Sequence, residues 1–370
     1  MDQSQTYSLE KYHFPLSVED DKEITGMLRA RGVFAPSFSP EDNEDIYDPL
    51  IYRRQSVHHH TNTTILADRN VVTRWLGLLS GRTASSEDRL AAAIMAFAQS
   101  GNMLVEPNLA LYEATVAAGS EATNNELRQF RIADNLDTKH WADLAIGRIQ
   151  NLSIPETELS SVPSSSEEID FGIRLKRWVR NYIILLKLGE LELRGLDRIQ
   201  RITELATWMY QDFIIGGPAL LFAIHYLAPN SARGGLLKHL RSMDRERALR
   251  GIRNASWDVT LLSDWIRRGE EQKAKNTLTL LCSLDRKLIQ LAYMLAPQTG
   301  SDSSAEFRKS SFMKTLEPWG EKQAREVSEL IEELLAKADN PSRQIHRPAE
   351  VDLDQMIEVG EKFVMDWRIL

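Results

Sequence analysis

The chain has 370 residues, 42% of them hydrophobic and 26% charged, and a formal net charge of −8. That length and balance supply a sizeable core, in one large domain or two to three smaller ones, and argue against a general polyanion-binding coat. The single cysteine, Cys282, excludes an internal disulfide framework and a cysteine-based zinc cluster. No apolar stretch reaches the length of a membrane span and the start Met1–Gln5 is polar, so no membrane partner and a cytoplasmic location are expected.

In chain order, residues 1–60 read as an irregular acidic extension. Glu41, Asp42, Glu44, Asp45 and Asp48 lie there between Pro40 and Pro49, with Pro36 just before. His58–His60 reads as a solvated loop before the first strand. Thr63–Ala67 is β-branched and apolar, which predicts a buried strand. Asn70–Leu79 has helical spacing, Glu87–Gln99 is an alanine- and leucine-rich helix, Met103–Val105 a short strand, and Asn108–Ala114 a helix. Helix is expected to continue over 124–152 and a polar loop to follow from Ser153 to Glu168. Helices are expected at Phe171–Leu193, Leu196–Ile215, Ala219–Leu227 and Gly235–Arg253. A further helix opens near Asp258, with Gly269 starting a charged turn. Thr277–Cys282 is the clearest strand and Arg286–Leu295 the helix after it. Gly300–Ser304 reads as a linker, with amphipathic helices at Glu321–Ala338 and Asp354–Trp367.

Two carboxylates terminate credible strands: Asp68 follows Thr63–Ala67, and Asp285 closes the run through Leu284. In open α/β sheets the chemistry gathers at the carboxyl ends of such strands, and convergent carboxylates suit a hard divalent cation. Glu113, six residues past Pro107, and Asp258 complete a set of four acids. Each also has an ordinary structural use: Asp68 and Asp285 as helix caps, Asp258 as a helix-start charge, and Glu113 as a solvent-facing helix residue.

Taken in order, Ile65–Asn70, Val105–Pro107 with Leu111–Glu113, Trp257-Asp258 and Ser283-Leu284-Asp285 resemble the core of a PIN-domain metal-dependent ribonuclease. The resemblance implies an α/β, PIN-like parallel sheet flanked by helices, within a helix-dominated chain. It places a first core part at 61–140, a largely helical insertion at 141–254, a second core part at 255–297 and a C-terminal helical extension at 298–370. It implies hydrolysis of RNA phosphodiester bonds with Mg²⁺ or Mn²⁺ held by Asp68, Glu113, Asp258 and Asp285. Asn70 and Ser283 would support a ligand carboxylate or the substrate. The long insertion and the charged stretch Arg267–Lys275 depart from the family's compact form, and they make Asp264 an alternative to Asp258.

Basic residues concentrate at Lys238, Arg241, Arg245 and Arg250, a weak candidate for a phosphate-gripping face, and again at Arg174, Lys176, Arg177 and Arg180. Trp178 and Trp208 could add base stacking. The Arg233…His239 spacing is similar to that of HEPN ribonucleases. The expected partners are an RNA or other nucleic acid substrate, a homodimer copy or an inhibitory protein, in the setting of a toxin or phage-defence effector. The competing expectation is a catalytically inactive PIN-like or helical scaffold that acts as an interaction module.

Overall fold

A computed structural model describes residues 15–38, 45–153, 169–231, 236–295, 312–338 and 350–368. The chain is helix-dominated, with one small four-stranded sheet. Its contacts divide it into two units: residues 1–34, 40–171 and 272–285 form the first, and residues 35–39, 172–271 and 286–370 the second.

The first unit begins with α1 (Val18–Arg31); β1 (Phe34–Pro36) follows in the chain, with Phe34 counted in the first unit and Ala35 and Pro36 in the second. Next come α2 (Pro49–His59), β2 (Asn62–Ala67), α3 (Arg69–Leu79), α4 (Ser86–Ser100), β3 (Leu104–Glu106), α5 (Asn108–Ala118), α6 (Ser120–Asn135) and α7 (Thr138–Ala145). The strand β4 (Thr277–Cys282) returns to this unit and gives the sheet order β1-β4-β2-β3. Strand β2 pairs in parallel with both β3 and β4, and the sheet as a whole is mixed rather than all-parallel as expected. The central helix is α4, whose alanine-rich run Ala91–Ala98 is fully buried and favours helix intrinsically. A capping box between Ser85 and Asp88 starts it. Trp75 on α3 donates its indole N–H to the Ala91 carbonyl at 2.7 Å, which fixes α3 against α4.

Residues 18–31, 34–36 and 49–59 correct the expectation of an irregular extension. Acidic side chains there complement a helix dipole: Glu19, Asp20 and Asp21 occupy the first turn of α1 behind the Ser17 cap. Pro49 likewise opens α2 behind the Asp48 cap. Phe34 is fully buried, 5.2 Å from the Phe97 ring centre. The helix expected over 124–152 is interrupted at Leu136, after which Asp137 caps α7 by accepting from the Lys139 N–H. The polar stretch from Ile154 to Glu168 and the linker Gly300–Ser304 lie outside the described residues.

The second unit holds α8 (Lys176–Leu193), α9 (Arg198–Gln211), α10 (Gly217–Leu227) and α11 (Arg245–Lys275) up to Glu271. It also holds α12 (Arg286–Leu295), α13 (Glu321–Ala338) and α14 (Glu350–Asp366). Tyr182, Phe213, Phe222 and Trp265 fill its core. The helix expected from Gly235 starts only at Arg245. Residues 236–244 are turns, and the Asp244 carboxylate accepts from the Arg247 N–H at 2.9 Å. No turn opens at Gly269: the helix runs 31 residues, through Asp258 and Gly269 to Lys275. One helical glycine costs only about 1 kcal/mol, and here the missing side chain admits Ser37, whose atoms would lie 3.0 Å from a Cβ.

Candidate carboxylate site at the ends of the central strands

The parallel register pairs Ala67 of β2 with Cys282 of β4, so the next residue on each strand, Asp68 and Ser283, emerge side by side. The backbone ties them: the Asp68 N–H donates to the Cys282 carbonyl at 2.9 Å. Strand β2 then leads to β3 on one side while β4 lies on the other. That is the arrangement in which α/β sheets open a crevice at strand ends.

A compact polar network fills this position. Ser283 Oγ and Asn70 Nδ2 each donate to Asp68 Oδ2 at 2.6 Å, and Asn70 Nδ2 also lies 3.0 Å from Ser283 Oγ. Asn70 Oδ1 accepts from the Leu284 N–H at 3.1 Å, and Ser283 Oγ accepts from the Asp285 N–H at 3.0 Å. Asp68 Oδ1 accepts from the Arg69 N–H at 2.7 Å, the N-cap bond of α3. Asp68 therefore caps a helix and sits in the site at once. Asn70 and Ser283 are thus both hydrogen-bond donors to Asp68.

Glu113 reaches the same neighbourhood from α5. Leu111, Leu127 and Phe171 form a cluster that holds α5 to α6, with the Tyr112 and Phe171 rings edge to face at 5.1 Å. Asn124 secures the returning chain through both backbone groups of Ile169. Burial first, and then the charge of Asp68, push the Glu113 carboxyl up to about 8, while Arg69 pulls it down. Arg69 is clamped by both oxygens of Glu126, at 2.6 and 3.0 Å, with both side chains largely covered. Glu126 was not a candidate from sequence, since nothing in its spacing on α6 pairs it with Arg69, 57 positions earlier.

Asp68, Glu113 and Asp285 thus belong to the first unit, and Asp258 lies within α11 of the second. Asp264, the alternative third acid, is buried under three guanidiniums. Arg177, Arg267 and Arg268 bond it at 2.7, 2.6 and 2.8 Å, and against the cost of burial the last two hold its carboxyl below the usual range. Its charge is already satisfied. Among the described residues no group of three or more His, Cys, Asp or Glu side chains stands together as a metal cage. Glu113 is half-buried, and the charge of Asp68 adds to burial in disfavouring its ionised form.

The expected basic face is largely committed inside the second unit. Arg241 bonds Glu192 at 3.2 Å and Arg250 lies 3.6 Å from Asp244. Arg245 donates to the carbonyls of Leu240, Ser242 and Val364 and stacks on Trp367. Lys238 is exposed. Trp178 stacks on both Tyr182 and Trp257, and Trp208 on Phe213, so neither indole stands as an open platform. His239 sits in a turn with left-handed backbone rather than on a helix, and Arg233 lies outside the described residues.

Among the described residues no helix is long and apolar enough to cross a membrane. Comparison of the chain with family models, with curated proteins and with solved structures gives no match.

Proposed function

We propose that the first unit carries a PIN-like, divalent-metal-dependent endoribonuclease site that hydrolyses phosphodiester bonds. The observation that carries this reading is the hydrogen-bonded cluster of Asp68, Asn70, Ser283 and Asp285 at the carboxyl ends of adjacent parallel strands. Glu113 is the second carboxylate of this reading, close enough to Asp68 for its charge to act on it.

Asp68 and Glu113 would hold Mg²⁺ or Mn²⁺, with Asp285 beside them on the β4 end. Such an ion, when bound, polarises a phosphate and makes its bound water a nucleophile at neutral pH. The chain's own groups prepare the place. Ser283 and Asn70 lock the Asp68 carboxylate in one orientation, as outer partners do for ligating side chains. Arg69, held by Glu126, sets a fixed positive charge near an otherwise acidic site. Glu113 keeps its proton at neutral pH while the site is free of cation, and releases it when positive charge enters.

The test is cleavage of a mixed-sequence, fluorophore-quenched single-stranded RNA with Mn²⁺, with EDTA as control. The native chain should cut, and the Asp68→Asn, Asp285→Asn double variant should lose at least a hundredfold in rate while keeping its melting temperature within a few degrees. Equal cutting by that variant would remove the site assignment. The alternative, an inactive scaffold, draws on one observation: both Asp68 oxygens already accept hydrogen bonds, one of them as the cap of α3. Calorimetry showing no Mn²⁺ binding to the native chain would favour it.

A further inference from the structure

A cavity of about 590 Å³ opens wholly within the second unit. Two antiparallel helices form its sides, α8 and α11, joined by Asn181–Thr260 at 3.0 Å and Arg177–Asp264 at 2.7 Å. Each gives it one helical face. Arg177, Arg180, Asn181 and Ile184 recur at i, i+3, i+4, i+7 on α8, as do Ser263, Ile266, Arg267 and Glu270 on α11. Because the helices run in opposite directions, the arginines gather at one end of the cavity. The other walls are mainly aliphatic, with Ile214, Leu221, Ile331 and Leu335 joined by Phe312, and Leu335 is left 42% exposed.

The charged end sets three guanidiniums, Arg177, Arg180 and Arg267, against one lining carboxylate, Glu270. Arg177 and Arg180 lie in the first two turns of α8, which carries no acidic residue in its first turn and no side-chain cap. Cations at a helix N-terminus oppose the dipole, so the sequence concentrates positive potential where helix stability alone would disfavour it. Arg177 and Arg267 are fixed by the buried Asp264, which Arg268 shares. Arg177 uses one bond of its fork on Asp264, and among the described residues Arg180 makes no ion pair. Two guanidiniums therefore keep donors for a planar or tetrahedral anionic head. With Phe312 as their one aromatic side chain, the mainly aliphatic walls suit a hydrocarbon tail better than a nucleobase, which would call for aromatic side chains stacked on both faces.

We propose that this cavity binds a single-chain anionic amphiphile, its carboxylate or phosphate head at Arg177 and Arg180 and its tail among Ile184, Leu221, Ile266 and Ile331. This site is separate from the carboxylate cluster of the first unit, and its test does not read RNA cleavage.

Titration calorimetry of the full chain with decyl phosphate, decanoate, decan-1-ol and inorganic phosphate, all below micelle formation, decides it. One saturable site is expected for at least one of the two anionic decyl compounds, and which of them binds tighter identifies the head. Arg180→Glu, an exposed change, should weaken that binding at least tenfold without altering decan-1-ol. Leu221→Trp, with helical circular dichroism unchanged, should weaken all decyl compounds at least tenfold by filling the cavity. No saturable binding by either anion overturns the proposal. So does equal affinity of native and Arg180→Glu chains for both anions, or equal affinity of native and Leu221→Trp chains.

Discussion

Glu113 is the residue at which site chemistry and stability meet. Its carboxyl titrates at about 8 in the folded chain against an ordinary value of 4.5, through burial and the neighbouring Asp68. The folded state thus binds a proton that the unfolded state has given up across that interval. Stability must fall as pH rises from about 4.5 to 8, by on the order of a few kcal/mol from this group in the metal-free protein. Asp134, raised to about 6 by burial, adds the same sign over a lower window, so the difference between native and Glu113→Gln chains isolates Glu113. In EDTA, thermal melts from pH 6 to 9 should slope downward more steeply for the native chain than for Glu113→Gln, which should be the more stable above pH 8. Mn²⁺ should raise the melting temperature of the native chain alone. Matching slopes would show that Glu113 is not the titrating group.

Secondary-structure elements differ in how openly the sequence declares them. The strands β2 and β4 and the helices after them are legible because a short β-branched run, then an acid, then helical spacing is a local pattern. Strand alternation puts Ser283 on the same side of its strand as Asp285, but its bond to Asp68 depends on the register of β2 against β4. Asp258 shows where local reading stops. A helix start was expected there because Asp258 opens an apolar face, but the 3.6-residue periodicity runs on unbroken behind it, and only packing reveals a 31-residue helix. The clamp of Arg69 by Glu126 was equally invisible, since it depends on how α3 meets α6. Glycines give this contrast a test. Gly251 in α11 has no room for a side chain, because a Cβ would overlap the Lys238 carbonyl, whereas around Gly26 in α1 nothing stands within 4 Å. Alanine is the better helix former at both positions. Gly26→Ala should raise stability by about 0.5–1 kcal/mol, while Gly251→Ala should lower it by about 1–3 kcal/mol, a contest that packing wins. Denaturant melts of the two variants check both signs.

The whole molecule is built discontinuously, and the expected boundaries do not follow its units. The C-terminal extension of 298–370 shares a unit with residues 172–271, while the N-terminal segment and residues 272–285 share the other. Sequence shows where helices stop but not which distant segments pack together. One consequence concerns truncation. β4 stands between β1 and β2 and arrives more than a hundred residues after α7, so residues 1–171 alone lack an inner strand. That fragment should show no cooperative thermal transition by circular dichroism. The same fragment with residues 272–285 appended through a flexible linker of about ten residues should recover one. A sharp transition in the shorter fragment would mean that the sheet does not depend on β4.

Cys282 gives that strand a private clock. It is the one thiol in 370 residues, it is fully buried, and its carbonyl receives the Asp68 N–H. Burial, with the charge of Asp68, pushes the thiol well above its ordinary range, so a thiol reagent can reach a reactive sulfur only during moments when β4 detaches. The labelling rate of the unmodified protein therefore counts those openings directly. A cation that bound at Asp68 would slow the count, with no engineered probe anywhere in the chain.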